Sequence, residues 1–220
     1  MMRGIFDINT TYLEEMGKFI AKSYQTLKCE DIFEIYSQFR RLLKDFRGTS
    51  SGFTGLSELL IFRFLYHQLG GSFKIHDVTD ELKEFVSESY DNLRIGQDIP
   101  IPFKVGKRRV YPDISIYHSE NLLSVIEIKV YLTRGTKEVD REIEILQGLK
   151  THYRKLQALL IIFEGLSTKG KIFGELEKQK NMKGWFDFLI LKENKELLTK
   201  KLHQCLNLER IAAASRNRGI

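Results

Sequence analysis

The chain has 220 residues, is 42% hydrophobic and carries a formal net charge of +6, with a sequence pI near 9.2. That length is generous for one average domain and short for two, and the positive balance favours a polyanionic partner. Cys29 and Cys205 lack CxxC or Cys/His spacing and the five histidines are scattered, which argues against a disulfide framework and a structural zinc site. No apolar run approaches bilayer length and the N-terminus lacks a signal-peptide pattern, so a cytoplasmic protein without a membrane partner is expected.

Thr11-x-x-Glu14 reads as a capping box opening a helix to about Leu27. Residues 31–47 continue as an amphipathic helix and end at the linker-like Gly48-Thr49-Ser50-Ser51-Gly52. Residues 1–52 are thus expected to be an N-terminal helical extension, and residues 53–220 the core. Residues 54–70 read as a nearly all-apolar helix, with Thr54 as N-cap and Gly70-Gly71 as the stop. Its one acid, Glu58, aligns with Phe62, Leu65 and Leu69 on the core stripe. A first-turn acid also complements the helix dipole, so a structural role stands beside a chemical one.

Residues 77–90 read as a shorter acidic helix. Strands are expected at 102–105, 110–117 and 122–131, an amphipathic helix at 137–155, and a continuous apolar strand at 156–163. A helix at 171–178, a strand at 185–191 and a terminal helix to about 214 complete the chain. Three strands, a crossover helix and a further strand imply an α/β fold: a mixed sheet with helices on both sides.

The chemistry concentrates on the second and third strands. Asp113 follows Pro112, and Glu127 and Lys129 lie two apart on a strand, hence on one face. If a three-residue loop, Ser119 to Asn121, closes the hairpin, Asp113 lies opposite Glu127 and Tyr111 opposite Lys129. Two carboxylates at close range on a buried sheet need protonation, a basic partner or a divalent cation. A plain structural ion pair between Lys129 and Glu127 is the competing reading. Lys104, Lys107, Arg108 and Arg109 lead into the Asp113 strand, and Arg134 and Lys137 follow the Lys129 strand. These are the basic groups best placed for a DNA backbone. Arg40, Arg41, Lys44 and Arg47 form a further basic cluster for a phosphate track, and a solvated face is the competing reading for each cluster.

An acid on an early helix, then Pro-Asp, then Glu-x-Lys a strand later resembles the PD-(D/E)xK nuclease superfamily, over roughly residues 54–164. The resemblance implies a restriction-endonuclease-like fold. It also implies Mg²⁺ or Mn²⁺ held by Asp113, Glu127, the Ile128 carbonyl and Glu58, with Lys129 acting on the attacking water and the phosphate. Gln147 and Tyr153 lie six apart on the following helix, so the Gln-x-x-x-Tyr signature of exonuclease-like members is unmatched. A resolvase-like or structure-selective DNA endonuclease, working as a homodimer, is the expectation. A non-catalytic DNA-binding or subunit-bridging protein on a nuclease-like scaffold is the alternative, and hydrolysis of RNA a third reading.

Overall fold

The computed structural model describes residues 29–47, 56–69, 84–87, 90, 92–102, 104–105, 108–132, 135–164 and 170–206. The helix expected before Leu27, the 48–52 linker, Thr54, Gly70-Gly71, Lys107, Arg134 and residues 207–220 lie outside them, as do the side chains of Lys44, Arg47 and Arg108. In chain order the elements are α1 (Cys29–Arg47), α2 (Leu56–Gln68), β1 (Glu84–Val86), β2 (Leu93–Gln97), β3 (Lys104–Val105), β4 (Arg108–Arg109), β5 (Ile114–His118), β6 (Asn121–Lys129), α3 (Thr136–His152), β7 (Gln157–Ile162), α4 (Lys171–Met182), β8 (Phe186–Ile190), a 3₁₀ turn (Lys195–Leu197) and α5 (Leu198–Leu206).

Among the described residues six strands form one mixed sheet in the order β1-β2-β5-β6-β7-β8, and β3 pairs with β4 separately. The β1, β2, β5 and β6 pairings are antiparallel, and β6, β7 and β8 run parallel. Helix α3 is the crossover between β6 and β7, as parallel neighbours require. The expected α/β architecture is the one observed.

Both faces of the sheet are covered, which explains the continuous apolar run of β7. Leu159 and Ile161 join Ile114, Ile116, Ile126 and Ile128 under α1, α2 and α5. Leu160 and Ile162 turn to the other face and pack with Val125, Phe188 and the α3 residues Val139, Ile143 and Leu146. Alternation along a doubly covered strand makes every position apolar. Helix α1 contributes Ile32, Phe33 and Tyr36 to the first of these cores, at the spacing of one helical face. Buried hydroxyls tie elements to this frame: Ser124 Oγ donates to the Cys205 carbonyl at the end of α5, and Ser87 Oγ donates to the Leu69 carbonyl after α2.

Two local expectations need correction. The acidic helix expected over 77–90 is contradicted at Glu84–Val86, which is a strand paired with β2. Three residues are too few to display a period, and the pairing that makes them a strand lies ten residues downstream. The β5–β6 loop is also tighter than expected. His118 pairs with Asn121, so Ser119 and Glu120 alone make the turn, with Ser119 in left-handed backbone (φ 54°). A bulge at Leu123 then shifts the ladder, and Ile114 pairs with Ile126. That final register is the one a three-residue loop would have produced.

Candidate metal centre

The sheet delivers its polar groups where the β5–β6 ladder stops. The last pair is Ile114↔Ile126, and Pro112 has no N–H to extend it. Beyond it the Ile128 N–H donates instead to Asp113 Oδ2 at 2.5 Å. Asp113 is thereby fixed against β6 at the level of Glu127. The expected proximity of the two acids and the lysine is present: Lys129 Nζ lies 3.1 Å from Glu127 Oε2 and 3.7 Å from Asp113 Oδ2.

Two further carboxylates approach Asp113. Glu58 arrives in the first turn of α2. Asp98 arrives from the turn after β2, where its own N–H donates to the Asp113 carbonyl at 3.3 Å and its backbone is left-handed (φ 52°). Carboxylate oxygens of Glu58, Asp98 and Asp113 all lie within 4.8 Å of one another. Oxygen donors at that separation suit a hard divalent cation. Glu127 stands outside this trio and is joined to it through Lys129 and Asp113. Asp98 is absent from the residues the sequence singles out. It is brought to Asp113 only by the β2–β5 pairing, and β2 itself is not expected from the pattern.

The electrostatics match the crowding. Burial, then Asp113 and Asp98, raises the Glu58 pKa from 4.5 to about 7. Burial, followed by Asp113, likewise pushes Glu127 up. Asp113 is raised by burial, against the pull of Lys129 and the Ile128 N–H. For Lys129 burial acts downward, but Glu127 and Asp113 outweigh it and hold the ammonium above its usual range. Among the described residues one ammonium faces several acids, so once these ionise a surplus of negative charge remains that a simple Lys129–Glu127 pair does not absorb. Such surplus charge is what a resident cation would offset.

Asp113, Glu127 and Lys129 line an open cleft of about 490 Å³ together with Arg109, Tyr111, Arg141, Glu142 and Ile145. Tyr111, placed opposite Lys129 by the sequence register, is on the lip and 53% exposed. Of the other basic candidates, Lys104 and Lys137 are exposed outside the cleft lining. Arg40 has a structural setting: it pairs with Glu164 and lies over the Tyr131 ring, binding α1 to the sheet. Gln147 accepts from Lys183 Nζ at 2.9 Å, and Tyr153 packs on the α3 side of the sheet.

No family model and no curated protein matches this chain. The solved structure of protein VC1899 from Vibrio cholerae is similar at a TM-score of 0.39 and 13% identity, over 90% of this chain. This chain spans 56% of the length of that protein. A likeness at that level carries no argument about fold or function.

Proposed function

We propose that the chain is a metal-dependent DNA endonuclease of the PD-(D/E)xK kind, acting on branched or otherwise distorted DNA as a homodimer. The observation that supports this reading is the convergence of Asp113, Glu127 and Lys129 at one cleft, with Glu58 and Asp98 behind Asp113. The carboxylate trio, with Glu127 and the Ile128 carbonyl beside it, would hold Mg²⁺ or Mn²⁺. A cation bound there supplies Lewis-acid polarisation of the phosphoryl oxygen and a water of lowered pKa.

The chain's own groups divide the remaining work. Lys129, held as an ammonium by Glu127 and Asp113, is suited to stabilise charge on the phosphoryl oxygens and unsuited to accept a proton at neutral pH. Glu58, raised to about 7 by burial and its acidic neighbours in the metal-free site, would lose its proton on taking up the cation. Arg109 and Arg141 are exposed on the cleft wall, where they would position backbone phosphates. Two such sites in a dimer allow both strands of a duplex to be cut.

The test is cleavage of supercoiled plasmid, linear duplex, a four-way junction and RNA with Mg²⁺, Mn²⁺ or EDTA. Metal-dependent DNA cleavage is expected, reduced at least about 100-fold in Asp113→Ala, Glu127→Ala and Lys129→Ala, with DNA binding largely retained. Cleavage persisting in all three variants removes the assignment. Binding without cutting under any metal points to the scaffold reading.

A further inference from the structure

Tyr111 is the feature of the cleft that the proposed chemistry leaves unused. It is one of four large hydrophobic side chains exposed among the described residues, at 53%. Its two neighbours explain that exposure. Val110 and Pro112 are both buried, so the backbone between β4 and β5 is pinned on either side of the ring. The Val110 carbonyl accepts from the Ile101 N–H at 3.0 Å, and proline fixes its own backbone angle. The tyrosine is therefore presented outward from a rigid segment.

The surroundings define what would meet that ring. Tyr111 stands two residues before Asp113 and shares the cleft with Lys129, Arg109 and Arg141, and with the acids Glu127, Glu142 and Glu144. Neither arginine makes an ion pair among the described residues. An exposed aromatic ring that shares a cleft with cationic groups is the combination that receives a nucleobase while the flanking phosphates are held. A base inside a continuous duplex is stacked on both sides and offers no free face, whereas an unpaired base does.

We propose that Tyr111 is a base-stacking residue, and that the cleft selects DNA with an unpaired nucleotide next to the phosphate held at Lys129. The inference rests on the nuclease reading but has its own readout. Fluorescence anisotropy in EDTA compares a duplex carrying a short unpaired bubble with the same duplex fully paired. Probes are titrated with wild type, Tyr111→Ala and Tyr111→Phe. Wild type binds the bubble more tightly; Tyr111→Ala loses about 10-fold on the bubble and little on the duplex, while Tyr111→Phe keeps the preference. A 2-aminopurine placed in the bubble is quenched by wild type and by Tyr111→Phe, and not by Tyr111→Ala. If Tyr111→Ala retains both the preference and the quenching while wild type cleaves DNA, the stacking role is overturned and the nuclease reading stands. If wild type binds neither probe and cleaves no DNA, both fall.

Discussion

Replacing Glu58 by glutamine separates a metal-site role from a helix-dipole role because the two predict opposite signs. With a folded pKa of about 7 against 4.5 unfolded, ionised Glu58 costs the metal-free fold up to about 3 kcal/mol at pH 8. Glu58 is only partly buried, so solvent screening reduces that to about 1–2 kcal/mol. The sign follows from linkage: the raised pKa makes the folded state the better proton binder. Stability is therefore undiminished below about pH 4.5 and falls as pH rises through 7. Glu58→Gln removes the ionisation. In EDTA at pH 8 the variant should melt roughly 2–8 °C above wild type, and at pH 5 the two should nearly coincide. Mg²⁺ should then stabilise wild type more than the variant. The assay is thermal unfolding by circular dichroism at both pH values, with EDTA or Mg²⁺. If Glu58 serves the helix dipole alone, the variant is instead destabilised at pH 8 by about 0.3–1 kcal/mol, independently of metal. That outcome refutes the reasoning.

Cation binding should tighten between pH 6 and pH 8 and release protons. Glu58, Asp113 and Glu127 are all raised acids that must be deprotonated to act as ligands; calorimetry in buffers of different ionisation enthalpy measures the release. Phe163→Ala should destabilise the fold by about 3–5 kcal/mol, read from urea unfolding, because Phe163 is fully buried and packs 4.7 Å from the Tyr36 ring. Lys129→Met should weaken DNA cleavage at least about 100-fold in single-turnover assays, since it removes the ammonium that faces Glu127 and Asp113.

The parts legible in the sequence are those governed by local pattern. The β6–α3–β7 unit shows a two-residue period, then a helical face, then a fully apolar run. Each of these follows from which faces are covered. The Asp113, Glu127 and Lys129 convergence was legible for the same reason: all three sit on one hairpin. Its register was reached through compensating differences, a two-residue turn and the bulge at Leu123. Bulges carry no periodic signal. What pairing at a distance decides stayed hidden. Glu84, Phe85 and Val86 become a strand only against β2, and Asp98 joins the acids only because β2 pairs with β5. Glu58 was visible as a lone acid on an apolar helix, and the nuclease resemblance grouped it with Asp113, but Asp98 was not among its expected partners.

The most direct measurement is a calorimetric titration of Mn²⁺ into the purified protein at pH 8, repeated with Asp113→Asn and Glu58→Gln. Saturable binding is expected in wild type, abolished by Asp113→Asn and weakened about 10-fold or more by Glu58→Gln, since Asp113 belongs both to the carboxylate trio and to the Lys129 pairing. Wild type that takes up no cation, or an Asp113→Asn variant that binds as wild type does, would contradict a metal centre at these residues.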